Sequence, residues 1–245
     1  MIGAQPAAGV AAALPDGQRI YAIGDIHGCA DRLAAMHRRI AADLAHRPAA
    51  HALVVHLGDY IDRGPESAAV IEMLIAPFPA LPGTRAPRVI NLLGNHEDML
   101  LATLASGGQP AADSWLRNGG GDTLASWKLS WRDGPAAWAR AIPPTHLGFL
   151  RGLALIVRAG GYVFVHAGLH PGRSLAAQTR DDLLWIREPF LSFAGPLPAC
   201  VVHGHTPDDA PVRRANRIGI DTGAVLGGAL TCAVLEGRDA AFLQT

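Results

Sequence analysis

Five short clusters along the chain set aspartate, asparagine or histidine against glycine: Gly24-Asp25-Ile26-His27-Gly28, Gly58-Asp59-Tyr60-Ile61-Asp62-Arg63-Gly64, Gly94-Asn95-His96-Glu97, His166-Ala167-Gly168 and His203-Gly204-His205-Thr206. Each offers carboxylate, amide-oxygen or imidazole donors, and the glycines permit the tight turns and close backbone approach of a compact site. A mixed oxygen and nitrogen donor set without thiolates suits Mn2+, Fe or Zn2+ better than a soft metal or a cluster. Singly, Gly-Asn-His-Glu or His-Ala-Gly is a weak signal, because these are common turn residues. Gly-Asp-Ile-His-Gly and Gly-Asp-x-x-Asp-Arg-Gly are more specific, and the ordered set of five points to one shared centre.

The clusters need elements that bring them together. Short apolar runs at 19–23, 52–57, 89–93, 162–165, 200–202 and 218–220 end in Gly/Asp/Asn/His groups, and runs of this length read as strands buried on both faces. Between the first of them, Leu33, Met36, His37, Ile40 and Leu44 recur at helical spacing within 31–46, and a second helix follows Pro65 with Ala69, Ile71, Met73 and Leu74. Strand, loop, helix, strand implies an α/β core. In such sheets ligands bind in the crevice beyond the carboxyl ends of the strands, so the five loops can converge there. Residues 107–144 break the rhythm with a Gly119–Gly121 run and Trp115, Trp127, Trp131 and Trp138; they read as a helical insertion on the same domain. The runs 230–235 and 240–243, around Gly237-Arg238, have the form of a hairpin.

At 245 residues and 49% hydrophobic content, one large domain over 19–245 is expected after a loose tail at 1–18. Lysine plus arginine (21) balances aspartate plus glutamate (21), which excludes a broad basic face and with it sequence-independent nucleic-acid binding. Affinity for phosphate must be local. The opening stretch has no Lys or Arg before its apolar part and reaches Asp16 too soon for a signal peptide or membrane span, so a cytoplasmic protein with no membrane partner is expected. Cys29, Cys200 and Cys232 are odd in number and widely spaced, which fits reduced, packed thiols. A lowered pKa at the helix start would make Cys29 oxidation-sensitive.

The ordered clusters resemble the metal-dependent phosphoprotein phosphatase family, within the calcineurin-like metallophosphoesterases, and the bacterial and phage-type serine/threonine phosphatases most of all. Trp185-Ile186-Arg187-Glu188 resembles the segment carrying the family's second phosphate-binding arginine, and Ile220-Asp221-Thr222-Gly223 its late strand and turn. The resemblance implies a four-layer α/β/β/α sandwich of two mixed sheets, with metals at the sheet edge. It implies that Asp25 and His27 hold one divalent ion, that Asp59 bridges, and that Asn95, His166 and His205 hold the other, with Mn2+ first among the ions. Two such ions about 3.5–4 Å apart clamp an in-line phosphoryl displacement and hold a bridging hydroxide. Arg63 and Arg187 would grip the phosphate oxygens, since the guanidinium fork matches their geometry. His96 would be the general acid, oriented and charged by Asp62. Two residues apart on an extended strand, His203 and His205 would point to the same side; the family's Gly-His pattern selects His205 and leaves His203 a supporting role. His37, His46, His51, His56, His146 and His170 read as helix-surface or strand-packing residues.

By that resemblance the chain dephosphorylates phosphoserine or phosphothreonine in proteins, with phosphotyrosine in reach, so its partner is a phosphoprotein or phosphopeptide. A second reading is symmetrical cleavage of dinucleoside polyphosphates. The sister group with that activity tends to lack the second aspartate of Asp-Arg-Gly and to end Gly-Asn-His-Asp, whereas this chain has Asp62 and Glu97. A third is a non-catalytic binding module, but such a module would have lost ligands or the catalytic histidine, and every one is present. The 107–144 insertion and the loops around 170–179 are expected to set substrate choice.

Overall fold

The apolar runs assemble into two five-stranded sheets in a computed structural model that describes residues 12–245. In chain order the strands are β1 (Gln18–Ile23), β2 (His51–His56), β3 (Arg88–Asn91), β4 (Ile156–Ala159), β5 (Tyr162–Val165), β6 (Cys200–His203), β7 (Val212–Arg213), β8 (Arg217–Gly219), β9 (Thr231–Glu236) and β10 (Asp239–Gln244). The first sheet runs β10-β9-β1-β2-β3 and the second β4-β5-β6-β8-β7. Strands β1, β2 and β3 are parallel, as are β5, β6 and β8, while β9, β4 and β7 pair antiparallel. Both sheets are mixed, as expected. The expected hairpin is β9 and β10, paired from Glu236 and Asp239 outward around Gly237. Strands β4 and β7 escape the sequence reading: both are edge strands, one interrupted by Arg158 and the other only two residues long.

The helices are α1 (Ala30–His46), α2 (Ser67–Ile75), α3 (Asn95–Ser106), α4 (Gln109–Trp115), α5 (Gly121–Ser126), α6 (Pro135–Ala141), α7 (Pro144–Arg151) and α8 (Arg180–Trp185). Alternation along the first sheet divides its side chains. Tyr21, Ile23 and Val54 pack under Leu33, Met36 and Ile40 of α1 and Val70 and Ile71 of α2. Ile20, Ala22, Leu53 and Val55 face Tyr162, Phe164, Val202 and Ile218 of the second sheet. The second sheet's outer face, Val163, Val165 and Val201, is covered by Leu183 of α8 and by Phe190. These are the four layers, the outermost being thin. Each fully buried aliphatic side chain contributes roughly 1.5–3 kcal/mol, so strands covered on both faces hold the loops at their ends firmly. Residues 107–144 carry short helices, with one wide π-type turn at Leu116–Gly120 where Gly119 takes φ 100°.

The structure corrects the expectation of a loose tail over 1–18 within the described residues; its first eleven positions lie outside them. Leu14 is buried in the inter-sheet core, its N–H donating to Gly237 O at 2.7 Å, and Ala13 O accepts from Gly161 N at 2.9 Å. Two histidines that would be helix-surface residues, His37 and His146, are buried instead, while His56 packs within strand β2 as expected. His37 and His56 form a buried pair with Nε2 atoms 3.0 Å apart, and His56 Nδ1 donates to Asn91 Oδ1 at 2.7 Å. His146, also buried, accepts from Trp127 Nε1 at 3.0 Å and donates to Glu72 at 2.7 Å, tying α7 to α2 and the insertion. Cys29, half-buried before α1, is a free thiol as expected; burial pushes its pKa up, so the lowered pKa that oxidation sensitivity would need is absent. Among the described residues no helix is long and apolar enough to cross a membrane.

Candidate active site

Parallel strands deliver their carboxyl ends to one edge. The turns after β1, β2 and β3 bring Asp25 and His27, Asp59 to Arg63, and Asn95 and His96, while those after β5, β6 and β8 bring His166, His205 and Asp221. Asp59 lies at the centre. Its Oδ2 is 3.5 Å from His27 Nε2 and 3.9 Å from His96 Nε2, and its Oδ1 is 3.4 Å from His166 Nε2. Two buried groups of metal-capable side chains share it: His27, Asp59 and His96, and Asp59, His166 and His205. Asn95 Oδ1 lies 2.9 Å from His166 Nε2 and 3.0 Å from His205 Nδ1. The Asp25 carboxylate accepts from His205 N–H at 3.1 Å and from no histidine ring.

The donor set fits cations. His166 Nδ1 donates to Leu57 O at 2.9 Å, and burial lowers the ring's pKa, so the neutral ring carries its proton on Nδ1 and Nε2 is a bare lone pair. That lone pair meets the oxygens of Asn95 and Asp59, three acceptors converging with no proton among them. His27 has the same tautomer, its Nδ1 donating to Ile61 O at 2.8 Å, but its Nε2 lone pair accepts from Arg63 Nη1 at 3.0 Å; burial lowers its pKa to about 4. His205 is lowered to about 3, by burial first and then by the charges of neighbours that include Arg187. Burial opposes ionisation of Asp59, but the surrounding histidines outweigh it and hold the carboxyl well below its usual range. Asp25 is raised well above its ordinary value by burial and then by the charges of Asp221 and Asp59. Three buried carboxyls crowded together call for positive charge.

His96 stands apart from the acceptor rings. Its Nδ1 donates to Asp62 Oδ2 at 2.7 Å, and its ring meets His27 edge-on at 4.7 Å between centroids. Burial pulls its pKa down, but the Asp59 charge and the Asp62 bond outweigh burial and leave it raised. Asp62 is lifted by burial against the pull of His96, Thr123 and Trp115. The two shifts compete for one proton, and because every partner of the Asp62 oxygens is a donor, the geometry favours carboxylate against imidazolium.

Among the described residues, five of the six non-glycine residues with positive φ are at this site: His27 (45°), Asp59 (51°), Asp62 (72°), Arg63 (69°) and His205 (67°). That conformation costs of order 1–3 kcal/mol per residue and clusters where function over-determines it. At His205 it also separates the two histidines that simple strand alternation would align: His205 joins the Asn95 and His166 group, whereas His203 packs on Phe190 with Nε2 3.3 Å from Arg217. Close approach explains the glycines, since a Cβ on Gly94 would collide with Asp59 Oδ1 and one on Gly204 with Asp25 Oδ1. Arg63 and Arg187 are exposed at the rim, and the Arg187 guanidinium has no hydrogen-bond partner among the described residues.

Four residues at the site were not assigned a role from the sequence. Glu97 accepts four backbone N–H groups, from Asp59 (2.9 Å), Tyr60 (2.7 Å), Ile61 (3.1 Å) and Gly94 (3.0 Å), and its position three residues after Gly94 was a legible helix-start signal. Asp221 sits in the late motif, so its segment was visible and its charge was not interpreted. Trp115 and Thr123 bond Asp62 from the insertion, and no local pattern announces that contact.

A family model described as calcineurin-like phosphoesterase matches residues 18–229. A Salmonella typhimurium relative named serine/threonine-protein phosphatase 1 is 31% identical over 226 residues, covering 89% of this chain and 93% of that one. A symmetrical bis(5'-nucleosyl)-tetraphosphatase of Acidovorax sp. is 32% identical over 203 residues, covering 77% of this chain but 57% of that one. Among solved structures, a candidate diadenosine tetraphosphatase superposes with TM-score 0.65 at 24% identity over 97% of this chain and 95% of its own. A cold-active protein tyrosine phosphatase gives TM-score 0.60 at 17% identity over 95% and 81%. At these identities the structural likenesses speak to the fold alone.

Proposed function

Because the chain belongs to the calcineurin-like phosphoesterase family, we propose that it is a two-metal phosphomonoesterase acting on phosphoserine and phosphothreonine in proteins, with phosphotyrosine also accepted. Asp25 and His27 would hold one ion, Asn95, His166 and His205 the other, and Asp59 would serve both, with Mn2+ preferred. When bound, two divalent ions supply Lewis-acid charge against the phosphoryl oxygens and activate water for attack. Arg63 and Arg187, both exposed, would grip the non-bridging oxygens. His96 is not a ligand, although it groups geometrically with His27 and Asp59: held by Asp62 and raised in pKa, it carries the proton that the leaving oxygen needs.

The observation that carries this reading is the 2.7 Å Asp62–His96 bond. A serine alkoxide leaves poorly without a proton, whereas a nucleotide leaving from a polyphosphate is already a good anion, so a held and charged acid favours the monoester of an alcohol. A second reading, symmetrical dinucleoside tetraphosphate hydrolysis, draws on the Acidovorax relative and on Trp185, 41% exposed with its ring 6.2 Å from that of His205, where a base could stack. The test is a competition panel with Mn2+-loaded protein: phosphoserine, phosphothreonine and phosphotyrosine peptides against diadenosine tetraphosphate. The proposal expects higher kcat/KM on the phosphopeptides and loss of activity on chelation. Preference for the dinucleotide establishes the second reading, and full activity in metal-free protein ends both.

A further inference from the structure

The insertion reaches the reacting centre through Asp62. Trp115, the last residue of α4 and fully buried, donates its Nε1–H to both Asp62 oxygens, at 3.1 Å to Oδ1 and 2.9 Å to Oδ2. Thr123 of α5, equally buried, donates its hydroxyl to Oδ1 at 2.6 Å and accepts the Asp62 backbone N–H at 2.8 Å. Ser67 closes the ring, its hydroxyl 3.1 Å from Thr123 Oγ1 and 3.2 Å from the same N–H. Between the two helices, the wide turn at Leu116–Gly120 places Gly119 O against Arg63 N–H at 3.3 Å. A Cβ at Gly119 would lie 2.7 Å from Arg63 N, so the contact depends on glycine there. Asp62 and Arg63 are consecutive left-handed residues, and the insertion grips the side chain and backbone of the first and the backbone of the second.

We propose that the helical insertion over 107–144 is a brace for the acid: Trp115 and Thr123 are positioning residues that fix the Asp62 carboxylate so that it aims the His96 ring. This rests on the reading of His96 as general acid and gives the insertion a catalytic task distinct from choosing substrates. The physical reason is geometric. A carboxylate with two free oxygens can swing and carry the ring with it; here Oδ1 is occupied by Thr123 and Trp115, and Oδ2 is shared between Trp115 and His96. Only one arrangement satisfies all three donors.

The experiment uses Mn2+-loaded full-length protein and two probes of different leaving group, a phosphoserine peptide and p-nitrophenyl phosphate, whose phenolate leaves without a proton. Trp115→Phe keeps the ring and removes the donor; Thr123→Val keeps the shape and removes the hydroxyl. Each is expected to lower kcat on the phosphoserine peptide by roughly ten- to hundredfold, as for loss of a bond to a charged group, with a clearly smaller loss on p-nitrophenyl phosphate and metal content retained. Thr123→Ser, which keeps the hydroxyl, should restore the wild-type ratio between substrates. Added to His96→Gln, neither change should cost more, because residues acting as a unit are non-additive. A merely structural role would depress both substrates alike, and that result, or wild-type behaviour in both variants, overturns the brace. Should Trp115→Phe not fold, the Thr123→Val and Thr123→Ser pair decides alone. His96→Gln separates the two levels: without any leaving-group contrast in that variant the acid assignment fails, whereas contrast there and none in the brace variants defeats the brace only.

Discussion

Replacing Glu97 by glutamine changes one oxygen for an NH2 group and should do disproportionate damage. Every partner of the two Glu97 oxygens is a backbone donor: Asp59 and Gly94 on Oε2, Tyr60 and Ile61 on Oε1. Burial and the Asp59 charge push the carboxyl up to about 8, while the four amides pull it down. Four donors aimed at two oxygens require a carboxylate, since a carboxylic O–H would point at an N–H. Whichever oxygen becomes the amide nitrogen, two buried N–H groups lose their acceptor and face a donor. An unsatisfied buried group costs about 1–3 kcal/mol, so about 2–6 kcal/mol is expected, against total stabilities of about 5–15 kcal/mol. The assay is urea unfolding of metal-free Glu97→Gln at pH 7, with Mn2+ titration following, because the amides concerned fix Asp59 at its left-handed φ of 51°. Both stability and Mn2+ affinity should fall. Glutamine is the isostere of a protonated carboxyl, so a variant as stable as wild type would mean that Glu97 is protonated and that the reasoning from donors is wrong.

Asp59→Asn removes the one charge shared by both ligand groups, so elemental analysis should find both metal occupancies reduced; two ions per chain with near-normal turnover would mean that it is no bridge. Arg187→Ala, at an exposed position whose guanidinium has no hydrogen-bond partner among the described residues, should keep both ions and melting temperature but lose about tenfold or more in kcat/KM, the scale of one charge-assisted contact; loss of metal would make it structural. Burial lowers His37 to about 4 and His56 to about 3. Their protons are bound more weakly in the folded state than in the unfolded one, where the value is about 6.5. The folded state is therefore destabilised as pH falls from about 6.5 toward 4. Equilibrium unfolding against pH should show that decline, and replacing both residues by leucine should make it shallower, the buried rings of His27, His166, His203 and His205 keeping the remainder.

Most of the first sheet and nearly all of the site were legible because their signals are local. A run such as Ala52 to Val55 is apolar without interruption because both its faces are covered, and Asp59 follows because parallel strands present their ends together. The two-residue β7 and the Arg158-broken β4 carry too few residues for a period to register, and only pairing with β8 and β5 makes them strands. The docked stretch at 12–17 was missed for a related reason: alanines and prolines read as tail, and their order comes from backbone bonds to Gly161 and Gly237, which no side-chain pattern encodes. The left-handed His205 upset the inference that positions 203 and 205 share a face, since alternation applies only while the chain stays extended. The partners of Asp62 lie 53 and 61 residues away in sequence, so Trp115 and Thr123 looked like ordinary insertion residues.

The strain at the site explains why so much polar structure surrounds it. If each left-handed residue among His27, Asp59, Asp62, Arg63 and His205 costs about 1–3 kcal/mol, the five together approach the stability of a whole domain, about 5–15 kcal/mol, and no single contact offsets that. The observed supports are distributed accordingly. Glu97 holds the Asp59 turn, Ile26 and His27 donate their N–H groups to Asp59 O at 3.0 and 2.9 Å, and the insertion holds Asp62 and Arg63. The first two supports tie the turns after β1, β2 and β3 into one unit before any ion arrives. Inside that unit Asp25, Asp59 and Asp221 crowd together, and bound cations would relieve their mutual repulsion. The fold thus supplies the geometry, and the cations supply the charge that the buried carboxylates lack. Metal binding should then contribute mainly electrostatic relief with little rearrangement of the Asp59 turn, because its backbone is already fixed by bonds to Glu97, Ile26 and His27 that involve no ligand atom.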